Sequence, residues 1–211
     1  MKSMPQIRIN FSPLLYDYVA RDKYKLYADT WGDIPSYEQC EEWTDNYRAA
    51  WQEQESKILP TLEQVLGLSF RQPIIDAHTV PGIRDMSDPL IMNFMTDAGT
   101  FVDRLTHELI HTLLTDNTAY SLNDTNKPTW LGDEWQKLFG DHDFDTLVHI
   151  PVHAIHKHIY LDTLKEPKRL ERDMASTADN KPYADAWRYV NDHDYMKIIT
   201  DLKELYSAYA G

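Results

Sequence analysis

One cysteine in 211 residues, Cys40, rules out an internal disulfide. A chain of this length built without disulfides fits a reducing compartment, so a cytoplasmic location is the expectation. Long apolar runs are missing too. No segment approaches the roughly 18 residues of a membrane span, and the start MKSMPQIRINF has no continuous apolar stretch after its lysine. Neither a membrane partner nor export through a signal peptide is expected. Basic residues are outnumbered, 21 Lys and Arg against 34 Asp and Glu, giving a net charge of −13. A field of that sign repels phosphate backbones and argues against nucleic acid as a partner. The chain also lacks internal repeats and low-complexity stretches.

What is present is a composition of 42% hydrophobic and 26% charged residues, which can bury a core, and a single domain over residues 1–211 is expected. Ile7 and Ile9 alternate with Arg8 and Asn10, the period of a half-buried strand over residues 6–11. Residues 69–79 and 89–94 are short, apolar and bounded by Pro, Gly and Asp, which predicts two more strands that pair with the first. Helical patterns cover residues 35–59, with Ser36 and Gln39 as a capping box, and Pro60 is expected to break that helix before a shorter one ending near Gly67. Later helices are predicted over residues 100–114, 130–139, 150–164, 167–175, 182–190 and 195–209, with polar loops over 116–128 and 176–181. Strands first and helices after define an α+β domain with a small N-terminal sheet.

The strongest motif is His107-Glu108-Leu109-Ile110-His111, the pattern H-E-x-x-H inside a good helix. Side chains four residues apart stand one turn above each other, so the His107 and His111 imidazoles can converge on one metal ion. Glu108 points into the adjoining sector, where a carboxylate can take a proton from a zinc-held water as that water attacks a peptide carbonyl. Phe101, Val102, Leu105, Leu109 and Leu113 form the apolar stripe of the helix, and Thr100 with Asp103 is its expected N-terminal capping pair. With 9 His and 11 Glu, a shuffled chain would show this motif about 2 times in 100, so chance is the weaker account.

Through these residues the sequence resembles the zincin metallopeptidases, whose signature surrounds H-E-x-x-H with uncharged residues. Leu105, Leu109, Ile110, Thr112 and Leu113 match that frame, and Arg104 stands where the family usually has Val or Thr. The resemblance covers about ten residues. It implies a zincin-like fold, a zinc cofactor and hydrolysis of a peptide or protein substrate, with Glu108 as the catalytic base.

Catalytic zinc has three protein ligands and an open position. The metzincin spacing would put a glycine and a further ligand after His111, but Leu114 and Asn117 occupy those places, so the third ligand should come from a later helix. Five of the nine histidines fall between His142 and His158. If Pro151 sits in the first turn of the helix over 150–164, His153 lies beside its buried stripe and is the chosen third ligand, with His149 and His156 as alternatives and Glu134 as a carboxylate alternative. Tyr160 and His193 are candidate stabilisers of the transition state. His78, His142, His158 and His193 read better as ordinary core or surface residues. Two other readings are a non-catalytic metal-binding or interaction protein on the same scaffold, which would give no reason for an intact Glu108, and a nickel- or copper-handling protein, which would leave that residue without a role.

Overall fold

The computed structural model describes residues 4–21, 35–95, 97–117 and 132–209. The chain divides into two compact units, Met1–Ser56 with Gln72–Thr112, and Lys57–Arg71 with Leu113–Gly211. Together their elements make an α+β protein with a small N-terminal sheet and mostly helices. Among the described residues no helix is long and apolar enough to cross a membrane.

The first unit holds the sheet. Strand β1 (Gln6–Phe11) buries Ile7 and Ile9 and exposes Gln6, Arg8 and Asn10, as the alternation predicts. It runs parallel to β2 (Ile74–Thr79), in register Gln6 to Ile74, after the crossover through α1 (Pro13–Arg21) and α2 (Tyr37–Leu66) that parallel pairing requires. Arg8 faces Asp76 across this pair and makes two hydrogen bonds to it, 2.7 and 2.6 Å long. β2 also pairs in parallel with β4 (Leu90–Met92), which forms a hairpin with β3 (Met86–Ser87), so the strand order is β1-β2-β4-β3. The apolar run at 89–94 thus contributes only three strand residues, and the two-residue partner before it carries no apolar pattern of its own.

Ser36 and Gln39 form the expected box at the start of α2. The Gln39 N–H donates to Ser36 Oγ (3.3 Å), and the Ser36 N–H donates to Gln39 Oε1 (2.8 Å). Pro60 does not break the helix. It removes one backbone donor, but Ile58, Leu62 and Leu66, four residues apart, are all buried, and continuous packing outweighs that single lost bond. α2 ends at Gly67, whose φ of 69° suits a residue without Cβ, and the Leu68 N–H returns to the Glu63 carbonyl at 3.1 Å. On the sheet side, the Arg48 guanidinium of α2 donates to the Ile9 carbonyl of β1 at 3.2 and 3.0 Å. The Tyr47 ring stacks on Phe101, 4.1 Å between centroids, and its hydroxyl donates to the Met95 carbonyl at 2.6 Å.

The second unit is helical: α4 (Gly132–Phe139), α5 (Phe144–His158), α6 (Pro167–Ser176), α7 (Lys181–Asp192) and α8 (Tyr195–Tyr209), with α5 packed on α7 and α8. α5 begins two turns before the expected start. Asp143 is its N-cap, accepting from the Thr146 N–H (3.0 Å) and hydroxyl (2.6 Å), and Pro151 lies inside the helix. A π-helical turn at Ile159–Thr163 continues α5, closed by the Leu164 N–H on the Ile159 carbonyl at 2.8 Å. The loop expected over 116–128 lies outside the described residues beyond Asn117, as does Trp130.

Candidate metal centre

Helix α3 (Ala98–Asp116) carries the H-E-x-x-H residues. Its cap is Asp97, not the expected Thr100 and Asp103 pair: the Thr100 N–H and hydroxyl donate to Asp97 Oδ2 at 2.7 and 2.9 Å. Asp103, 4% exposed, sits a turn too deep to cap anything. Phe101, Val102, Leu105, Leu109 and Leu113 are buried as the stripe predicts, joined by Ile110 and Leu114. Their burial fixes the rotation of the helix and turns residues 104, 107, 108, 111 and 112 to the opposite face.

On that face His107 and His111 bring their Nε2 atoms to 3.2 Å, the rings 65° apart. Two nitrogens each bound to one tetrahedral zinc at 2.0–2.1 Å stand about 3.3 Å apart, so the pair has the separation of two ligands on one ion. The same distance also allows a single N–H···N hydrogen bond if one ring carries its proton on Nε2. Two imidazoles with an adjacent carboxylate are a donor set suited to zinc.

Glu108 is buried, and burial pushes its carboxyl up to about 8; the charge of Asp85 adds to the rise, and Arg104 and Arg84 oppose it. Asp85 lies just before β3. It accepts from the Asn93 N–H at 2.6 Å and from Arg104 Nε at 3.0 Å, and burial raises its pKa as well. The Thr112 hydroxyl donates to the Glu108 carbonyl at 3.0 Å and lies 3.4 Å from the Ser87 carbonyl. The β3–β4 hairpin is thereby tied to α3 on both sides of Glu108, through Asp85 and Ser87. The sequence reading missed this support, because nothing in the pattern around Asp85 marks a buried carboxylate.

The histidines of α5 belong to the second unit. With the helix starting at Phe144, His149 falls inside it and His153 in its third turn. His149 Nδ1 lies 2.5 Å from the Asp145 carbonyl, which can only accept, so the proton is on Nδ1 and the lone pair on Nε2. Its ring packs on Tyr183, 3.9 Å between centroids. His153 is buried face to face on Trp187, at 4.1 Å and 9°. His156 is engaged elsewhere: its Nδ1 lies 3.1 Å from Asp173 Oδ2, which also accepts from the Tyr160 hydroxyl at 3.1 Å. Tyr160 is buried in that network. His158 pairs with Asp162, His142 meets the Phe139 carbonyl and His193 stacks on Tyr189. Glu134 is paired with Lys137 at 2.6 Å. No known protein family, curated protein or solved structure matches the chain.

Proposed function

We propose that the protein is a zinc-dependent metallopeptidase on a zincin-like scaffold, in which His107 and His111 hold zinc and Glu108 is the base. The observation that carries this reading is the 3.2 Å approach of the two Nε2 atoms, one helical turn apart, on the face that also bears a buried carboxylate. The order of a small sheet, the H-E-x-x-H helix and later helices supports the scaffold. Bound to these nitrogens, zinc would acidify water to a pKa of roughly 7 and polarise a peptide carbonyl.

The residues of the chain do the rest. Glu108 accepts a proton from the attacking water and passes it to the leaving amine. Asp85 and Thr112, through the hairpin, hold the helix face on which Glu108 stands. The third ligand is drawn from α5. His149 suits the role because its Nδ1–H is fixed on a backbone carbonyl, the support that metal-ligating histidines usually have. His153, on Trp187, is the second candidate.

The test is a peptide-mixture digest by the zinc-loaded protein, read by mass spectrometry, beside Glu108→Gln. Cleavage by the wild type, with at least 100-fold less by a variant that still binds zinc, is expected for a lost general base. Equal cleavage by both proteins removes Glu108 from the mechanism. A zinc-loaded wild type that cleaves nothing removes the peptidase.

A further inference from the structure

On α2, Trp43, Asn46, Tyr47, Ala50 and Glu53 follow one another at spacings of three and four, which sets them in one stripe along the helix. This stripe borders a hollow of about 590 Å³, met on the other side by Met95 and by Ala98 at the start of α3. All of these residues belong to the first unit. Sites for small molecules span roughly 300–1,000 Å³, so the hollow has the size of one. Ala98 stands two and a half turns before His107, about 14 Å along the axis of α3, which sets the hollow apart from the H-E-x-x-H residues.

Its walls are held in place. The Tyr47 hydroxyl accepts from the Met95 N–H at 2.8 Å while donating to the Met95 carbonyl, and its ring is stacked on Phe101. Trp43 rests against the buried Phe94, 5.4 Å between centroids. Rings fixed in this way lose little freedom when a ligand packs on them. Ala50 and Ala98 leave the space open, since a longer side chain at either position would fill it.

The polar groups of the hollow are not spent on the fold. Among the described residues neither Glu53 nor Asn46 makes a hydrogen bond or an ion pair, and Glu53 is the one charged residue of the lining. A carboxylate beside aromatic faces selects for a cation, because the ring quadrupole and the negative charge attract it together. The net charge of −13 acts in the same direction, drawing cations in and repelling anions.

We infer that this hollow is a binding site for a small organic cation, a protonated amine whose aromatic or aliphatic body packs against Trp43 and Tyr47 while its ammonium group meets Glu53. The site is independent of the zinc reading, and its test uses the metal-free protein.

Three probes share one body and differ in charge: phenethylamine, phenethyl alcohol and hydrocinnamate. In calorimetric titrations of the full chain at neutral pH and low salt, the amine should bind about 10-fold more tightly than the alcohol, and hydrocinnamate more weakly than either. Ala50→Leu should abolish binding of the amine by filling the hollow, in a helix that accepts leucine readily. Glu53→Gln should bring the amine down to the level of the alcohol. Glu38→Gln removes the same charge from an exposed position of α2 outside the hollow and should leave the preference intact. Circular dichroism and the melting temperature check that each variant folds. Parity among the three probes, or no binding of any, overturns the inference. So does a preference for the amine that survives Ala50→Leu or Glu53→Gln, or one that Glu38→Gln removes as fully as Glu53→Gln.

Discussion

Replacing Glu108 by Gln should stabilise the metal-free protein at neutral pH. Glu108 is 9% exposed, and its carboxyl is raised from 4.5 to about 8. Such a group binds its proton in the folded state while the unfolded chain has already released it, so its contribution is intact below pH 4.5 and is lost as the pH rises toward 8. At 1.36 kcal/mol per unit, a shift from 4.5 to about 8 costs about 3 kcal/mol at pH 7 relative to pH 4. Glutamine has the same shape and no charge to desolvate. Urea unfolding of both metal-free proteins at pH 5, 6, 7 and 8 isolates the effect, because every other titrating group is common to the two. Their stabilities should lie close together at pH 5 and diverge by about 1 kcal/mol per unit, with the variant above. Zinc should close the gap, since a divalent cation on His107 and His111 favours the ionised carboxylate. Parallel curves from pH 5 to 8 would refute the buried, proton-holding Glu108.

The remaining expectations are briefer. Wild-type protein should bind about one zinc per chain, and His107→Ala or His111→Ala should each abolish tight binding in competition with a chromophoric chelator, because a two-ligand remnant cannot hold the ion. In the same assay, the α5 ligand is whichever of His149→Ala and His153→Ala loses far more than the roughly 10–100-fold expected of a supporting residue, and the hydrogen bond to Asp145 points to His149. Equal wild-type affinity in both variants would place the ligand outside α5. Cys40 is fully buried, with its thiol pushed up to about 11 by burial, so only about one molecule in a thousand carries the thiolate at pH 8. A colorimetric disulfide reagent should therefore leave the native protein unlabelled over minutes and titrate one thiol in urea.

The sequence was most informative where one periodicity governed one element. The alternation of Ile7 and Ile9 located β1 to the residue, and the stripe from Phe101 to Leu113 oriented α3. Short-range capping chemistry was legible at Ser36 and Gln39, but it was misassigned at α3. There the oxygens of Asp97 and Asp103 both lie three residues from Thr100, and burial alone decides between them. Proline misled twice. Pro60 and Pro151 each cost one backbone bond, and the buried residues around them, Ile58 with Leu62 and Ile150 with Val152, outweigh that loss. Because Pro151 set the expected start of α5, the surroundings of its histidines were not legible: Tyr183 beneath His149 and Trp187 beneath His153 come from α7, some 30 residues on. Asp85 as the partner of Arg104 is a long-range pairing of the same kind, which no local pattern encodes.

The contact of Arg48 with the Ile9 carbonyl bears on how the chain behaves in crowded solution. Among the described residues β1 pairs only with β2, and at its outer side the Ile9 acceptor that another chain's strand would seek is already taken by the guanidinium. At the other end of the sheet, β3 is two residues long and offers almost no ladder to extend. An aggregate that grows by strand addition would have to dislodge Arg48 or lengthen β3 first. Arg48→Ala should therefore raise the rate of thioflavin-positive aggregation on mild heating more than it lowers the melting temperature.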